Sequence, residues 1–150
     1  MGAGASATQM IFFITSVIIA LSVVGAMFLN IQSISSAAIV GSKTLAEQLK
    51  TDITIINDPE SIPHPGGSNY SFYIKNTGKE GLGIQYISVI IDGTIVTDGN
   101  LNKTILEGGQ MWLSGDVLQI DAATSLASGS HNLMIITGNG IEDTLLFRTP

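Results

Sequence analysis

The feature that most constrains this 150-residue chain is the uncharged segment MIFFITSVIIALSVVGAMFLNI, Met10 to Ile31. No Asp, Glu, Lys or Arg occurs before Lys43. A helix of this length reaches about 33 Å at ~1.5 Å per residue, which is enough to cross a hydrocarbon core of about 30 Å. Hydroxyls within it can bond back to the helix backbone. The segment therefore predicts a membrane-spanning helix.

Two other interpretations of the segment are less consistent with the sequence. A cleaved secretory signal usually begins with basic residues and has an apolar core of about 7–15 residues, whereas MGAGASATQ contains no Lys or Arg and the apolar run is longer. A soluble protein would need a large core to surround a helix that is apolar on all sides, and the remaining chain of about 100 residues could hardly supply it. A retained anchor is favoured, with a trimmed N-terminus and a filament-core helix as alternatives.

Helical patterning continues beyond the apolar segment. From Ile31 onward, apolar and small residues recur at steps of three and four, as in a heptad-like stripe, and Ala37 and Gly41 belong to a small-xxx-small row. The stripe fits a stalk helix packed on its own domain and equally a helix that bundles with other copies or a partner. The predicted helix-packing face consists of Ile31, Ile34, Ala37, Ala38, Gly41 and Leu45.

After Lys50 the pattern changes from helical to alternating. The run IQYISVIIDGTIVTDGN contains two β-branched segments joined by Asp92-Gly93, a dipeptide suited to a type I′ hairpin turn. HNLMIIT and IEDTLLFRT predict a second hairpin near the end of the chain. Further strands are predicted at 51–57, 70–76, 103–106, 110–113 and 117–120. Seven or eight short strands without intervening helices predict an antiparallel β-sandwich of immunoglobulin-like type.

The sequence therefore predicts two domains. Residues 1–50 form the membrane-spanning helix with its amphipathic extension, and residues 51–150 form the all-β sandwich. Alternation within the strands predicts which side chains face the core. These inward positions are Ile53, Ile55, Phe72, Ile74, Ile87, Val89, Leu133, Ile135 and Leu145.

The composition argues against several classes of function. From Asp52 onward the chain has four Lys or Arg residues against eleven carboxylates, and this negative charge disfavours nucleic-acid binding. His64 and His131 have no carboxylate at metal-ligand spacing, and cysteine is absent, so no metal site is expected. The sequence also lacks a phosphate-binding glycine loop and a serine-nucleophile motif. We expect no enzyme activity, no cofactor and no small-molecule substrate.

Two N-glycosylation sequons occur at predicted borders between loops and strands. They are Asn69-Tyr70-Ser71 and Asn102-Lys103-Thr104. Because N-linked glycans are attached to exposed sites in secreted or extracytoplasmic segments, Asn69 and Asn102 give weak support to a location outside the cytoplasm.

The charge-free helix, its polar-apolar extension, the junction LAEQLKTDITIINDP (Leu45 to Pro59) and the strand-rich C-terminal part together resemble the archaeal flagellar (archaellum) accessory protein G family. The resemblance covers the whole chain and is most specific at that junction. It implies a single-pass protein of the cytoplasmic membrane with its sandwich in the extracytoplasmic space, forming the static part of the archaellum motor. It also implies partnership with archaellum accessory protein F and, through it, with the surface layer.

The helix is also similar to that of type IV pilins and archaellins. The sequence departs from that pattern because no basic residue precedes the apolar run and no Glu occurs near the helix start. The favoured function is a stator-type structural protein that forms homo-oligomers. The sequence does not decide whether these are filaments. The alternatives are a pilin-like or archaellin-like filament subunit and a membrane-tethered binding module for surface-layer protein or glycan.

Overall fold

The computed structural model describes residues 2–150, which contain one α-helix, two short 3-10 helices (Ile84–Tyr86 and Asp98–Asn100) and ten strands. The helix α1 spans Gly2–Lys50. The strands are β1 (Ile53–Ile55), β2 (Asn69–Asn76), β3 (Leu82–Gly83), β4 (Ser88–Ile91), β5 (Thr94–Val96), β6 (Leu101–Ile105), β7 (Met111–Trp112), β8 (Val117–Ala123), β9 (Gly129–Ile136) and β10 (Glu142–Thr149). The chain is divided into two compact units, with the boundary between Lys43 and Thr44. The predicted boundary at residue 50 stays a prediction.

The first unit is helical and includes the whole predicted membrane segment. Its described side chains are exposed, and where a helix is surrounded by hydrocarbon its polar groups must be satisfied within the helix itself. The hydroxyls of Thr15, Ser16 and Ser22 donate to the carbonyl oxygens four residues earlier, at 2.8, 2.7 and 2.8 Å. The helix is long and apolar enough to cross a membrane. It is therefore compatible with a single-pass anchor.

The second unit contains two four-stranded antiparallel sheets and a small two-stranded sheet. Strand order is β1-β2-β8-β6 in one large sheet and β10-β9-β4-β5 in the other, while β3 pairs with β7. Asp92 and Gly93, with φ of 51° and 76°, join β4 to β5 and confirm the predicted type I′ turn, which requires positive φ at both positions. The predicted antiparallel sandwich is confirmed.

One apolar core fills the space between the sheets. The predicted inward residues are buried except Leu145, which is partly exposed and packs at the margin of the core. Trp112 is fully buried, and the rings of Phe72 and Phe147 make an edge-to-face contact with centroids 5.4 Å apart. Such pairs stabilise a core beyond the area they bury.

The first strand is shorter than the predicted 51–57. Thr51 still belongs to the helix end, because its amide donates to the carbonyls of Glu47 and Gln48 at 3.1 Å. At the other end, the Asn57 side chain accepts from the Tyr73 amide at 2.6 Å and donates to the Ser71 carbonyl at 3.1 Å. Thr51 and Asn57 thus bond to the helix end and to β2, and neither extends the strand.

Candidate interaction surfaces

The last turn of α1 is bonded to the loop between β2 and β3. The Lys50 carbonyl accepts from the Lys79 amide at 2.7 Å, and the Asp52 carbonyl accepts from the Gly78 amide at 2.9 Å. The Thr77 hydroxyl donates to the Asp52 carboxylate at 2.7 Å. A Cβ atom on Gly78 would lie 2.5 Å from the Lys50 carbonyl oxygen, so only glycine allows this approach.

A second loop holds the same helix end. The Gln48 amide group donates to the Asn139 carbonyl at 2.9 Å, and the Asn139 side chain donates to the Thr51 hydroxyl. The Thr137 hydroxyl in turn donates to the Asn139 side chain at 2.6 Å. These residues all belong to the unit that begins at Thr44. The helix end is therefore fixed to the sandwich by two loops, which we call the helix junction.

The edges of the two large sheets are protected against strand addition. Lys103 on the edge strand β6 turns its ammonium group inward and donates to the Ile87 carbonyl at 2.8 Å and the Asp98 carboxylate at 3.0 Å. The β5 edge is only three residues long. On the opposite side, the Asp143 carboxylate accepts from the Ile55 amide at 2.7 Å, and the Arg148 amide donates to the Pro59 carbonyl. Inward charges and short or covered edges disfavour pairing with another chain.

The outward face of the β1-β2-β8-β6 sheet is polar. The Ser71 hydroxyl donates to the Asp121 carboxylate at 2.6 Å, and the Gln119 amide donates to the same carboxylate at 2.9 Å. The sequon residue Asn102 is exposed and lies opposite Asp121 in the β6–β8 register. Asn69 is exposed at the start of β2. Both positions are accessible to a glycan, and glycosylation itself stays a prediction.

All six residues of the predicted helix-packing face lie within α1 and are exposed. Their spacing places them along one side of a helix. The structure holds a single chain, so their packing against another helix stays a prediction. The set is Ile31, Ile34, Ala37, Ala38, Gly41 and Leu45.

His131 lies in β9 and contacts two acceptors. Its Nδ1 lies 2.6 Å from the Asp92 carboxylate and its Nε2 lies 2.8 Å from the Ala127 carbonyl oxygen, so the ring fits best when both nitrogens carry a proton. The bond to Ala127, followed by that to Asp92, raises the pKa of His131. The Asn132 amide, followed by His131, lowers the pKa of Asp92. The pair fixes the β4–β5 turn against β9.

Sequence analysis missed this pair because its members lie far apart in the chain. The recognised β4–β5 hairpin placed Asp92 at a turn, but only the pairing of β4 with β9 brings His131 beside it. The other histidine, His64, stacks on Tyr70 with ring centroids 4.6 Å apart and donates to the Asn69 carbonyl. Across residues 2–150, no group of three or more His, Asp or Glu residues is arranged to hold a metal ion.

The chain is similar in sequence to archaeal flagella-related proteins. A family model for archaeal-type flagellin matches residues 2–147. Flagella-related protein G of Methanocaldococcus jannaschii is 30% identical over 143 residues, covering 93% of this chain and 92% of the relative. Flagella-related protein G of Methanococcus voltae is 30% identical over 144 residues, covering 91% and 92%.

The archaellum periplasmic stator protein FlaG from Sulfolobus acidocaldarius is a structural neighbour. The match has a TM-score of 0.50 at 18% identity and covers 65% of this chain and 99% of that chain. An identity this low shows the fold alone. It confirms the immunoglobulin-like sandwich predicted from the strand pattern.

Proposed function

Because this chain belongs to the archaeal-type flagellin family, we propose that it is a structural protein of the archaellum motor, part of its stator. In this proposal α1 crosses the cytoplasmic membrane once and the sandwich lies in the extracytoplasmic space. There the sandwich binds archaellum accessory protein F and, through it, the surface layer. The naming of its relatives as flagella-related protein G, and of its structural neighbour as a stator protein, supports this role.

The observation that carries the mechanical part of the proposal is the helix junction. A protein that resists torque needs a stiff connection between its anchor and its binding domain, because a flexible linker would absorb the displacement. Here Lys50 and Asp52 are bonded to the 77–79 loop, and Gln48 is bonded to Asn139, with no intervening linker. Within the unit that begins at Thr44, the helix end is thus held to the sandwich, as we expect of a force-bearing element.

A flexible insertion tests this role. A Gly-Ser linker placed between Lys50 and Thr51 should leave the protein in the membrane and bound to accessory protein F, yet abolish swimming. The matched control carries the same linker between Pro65 and Gly66, in an exposed loop, and should swim normally. Normal swimming with the junction insertion would overturn the force-bearing role. If the unmodified chain fails to co-purify with accessory protein F, the proposal that this protein is its partner is overturned.

A filament subunit is the second candidate, favoured by the match to a flagellin family model over residues 2–147. In that role the apolar helices would form the filament core. Electron microscopy of the purified full-length protein distinguishes the two. Helical filaments with the N-terminal helices inside favour a filament-forming protein, and isolated molecules favour an anchored module. Because a stator protein can also polymerise, co-purification with accessory protein F is needed to decide between stator and pilin.

A further inference from the structure

The outward face of the β10-β9-β4-β5 sheet carries apolar side chains on each of its four strands, beside polar ones such as Thr144 and Asn132. Ile90 on β4 lies directly opposite Ile95 on β5 and, on its other side, opposite Met134 on β9. Ile136 and Leu146 flank this row diagonally. Leu146 and Ile95 are 68% and 60% exposed, and the other three are partly exposed. We call these five residues the apolar face.

This face differs from the outward face of the other large sheet. The opposite sheet presents Gln119 and Asp121, which bond to each other, and Asp121 also accepts from the buried Ser71. The sheet edges are protected against strand addition. Single exposed hydrophobic residues are common on soluble domains, but a contiguous set marks a contact surface. The apolar face is thus better suited to an apolar contact than the outward face of the other large sheet.

The charges around the apolar face bear on which partner it suits. The sandwich is acidic, but the two carboxylates that border β5 are already paired, Asp92 with His131 and Asp98 with Lys103. Two charged side chains then remain on the face, Glu142 and Arg148, at opposite ends of β10. Neither has an ion-pair partner among residues 2–150. The face therefore carries one charge of each sign at equal distances from Leu145.

We propose that the apolar face binds the same face of a second copy of this chain, about a two-fold axis that crosses the strands at the level of Leu145. Such an axis stacks β10 on its copy in the opposite direction. Glu142 of each copy then lies over Arg148 of the other, and two ion pairs form. The row of Ile95, Ile90 and Met134 lies beside the equivalent row and interdigitates with it, as in sheets packed about 10 Å apart.

A copy of the chain explains this arrangement better than an unrelated partner does. A two-fold contact uses one patch on both subunits, so the patch must complement itself. Opposite charges placed symmetrically about a central residue satisfy that condition, whereas a uniformly acidic rim would repel its own copy. The inference concerns the sandwich surface alone and does not depend on a role in the motor.

Cross-linking of the full-length protein in detergent tests the contact. The chain has no cysteine, so a single introduced one reports a single position. Thr144 is exposed on the outward side of β10, next to the proposed axis. The variant Thr144→Cys, treated with a short bismaleimide, should give covalent dimers. The matched control Lys75→Cys, exposed on the other large sheet, should give few. Equal yields from the two variants would overturn the proposal, because association through α1 alone would produce them.

Charge reversal provides the second measurement, in the Thr144→Cys background. Glu142→Arg alone or Arg148→Glu alone places like charges together at both ends of β10 and should lower the dimer yield about fivefold or more. The double reversal restores opposite charges and should return the yield to within about twofold of the starting level. Lys75→Glu changes the net charge as Arg148→Glu does and should leave the yield unchanged. Failure of the double reversal to restore the dimer would overturn the two-fold arrangement.

Discussion

At the scale of single residues, Asn76 organises the loops beside the helix junction. Its side chain is fully buried, donates to the carbonyls of Glu80 and Trp112 at 2.9 and 3.0 Å, and accepts from the Gly78 amide at 3.1 Å. A buried carbonyl that loses its partner costs the free energy of its desolvation. One polar side chain therefore connects three backbone segments.

Replacing this side chain should destabilise the sandwich. We expect Asn76→Ala to lower the free energy of unfolding by about 3 kcal/mol, since it leaves several buried backbone groups without partners. Trp112 is the sole tryptophan and is fully buried, so its fluorescence during urea unfolding in detergent reports the sandwich alone. Asn102→Ala, at an exposed position, serves as the control and should change little. Equal stability of the two variants would contradict this role for Asn76.

The His131–Asp92 pair makes stability depend on pH. Because the folded pKa of His131 is raised, its contribution is complete below the unfolded pKa, about 6.5, and is lost as pH rises through the folded value. Because the pKa of Asp92 is lowered, its contribution is present above the unfolded value of 3.8 and is lost as pH falls through the folded one.

A comparison of wild type with His131→Gln checks this dependence. The difference in the free energy of unfolding should be largest near pH 5–6 and should decrease as pH rises above the folded pKa of His131. Denaturant unfolding at a series of pH values, again followed by Trp112 fluorescence, measures that difference. A difference that is constant from mildly acidic to alkaline pH would show that His131 contributes by packing alone.

At the scale of elements, the packing face of α1 makes a separate prediction. Gly41 has no Cβ and lies four residues from Ala37, so two helices can approach closely there. Gly41→Leu should separate the backbones and reduce oligomers of the detergent-solubilised protein in cross-linking. Gly25→Leu, within the membrane segment and off the predicted face, is a control for added bulk. Oligomer sizes unaffected by Gly41→Leu would argue that the stripe makes no close helix contact.

The strands show which elements a sequence can specify. β2, the β4–β5 hairpin and the β9–β10 hairpin follow from alternation and turn residues that are local in the chain. The resemblance to the archaellum accessory protein G family was also predicted and is confirmed by the relatives. The sequence predicted β1 to be longer than it is, because Thr51 and Asn57 fit the strand pattern. In the structure Thr51 bonds to the helix end and the Asn57 side chain bonds to β2.

The contacts that matter most at the candidate sites could not be predicted from the sequence. His131–Asp92, Asn76–Trp112 and Gln48–Asn139 each join residues that only the sheet topology brings together. Their residue types are also those expected at ordinary turns and loop ends. The apolar face could not be predicted for the same reason, because Ile90, Ile95 and Met134 become neighbours only through strand order and register.

At the scale of the whole molecule, the division of the chain makes a prediction about stability. The fragment 51–150 contains every strand and should fold alone, giving a β-type circular dichroism spectrum and a cooperative thermal transition. The fragment 44–150 retains the bonds of Gln48 and Lys50 to the sandwich and should be more stable by about 1–2 kcal/mol. A disordered spectrum for both fragments would contradict the prediction that the sandwich folds independently of the anchor.

Topology is the second prediction at this scale. If the sandwich lies outside the cytoplasm, protease added to intact cells stripped of their surface layer should digest residues after Asp52. The exposed 58–68 segment is the expected site of first cleavage. A cytoplasmic protein measured in the same samples controls for lysis. Protection of the sandwich until the cells are lysed would place it inside and contradict the proposed location.

The protected strand edges determine how far an assembly can grow. Chains that associate by adding strands can extend without limit, because each added strand exposes a new edge. Lys103, the short β5 and the covered side of β10 disfavour that route. A two-fold contact between faces closes after two copies. If the proposed contact forms, a longer polymer needs a second contact elsewhere on the chain, and pairs of chains are the units that it joins.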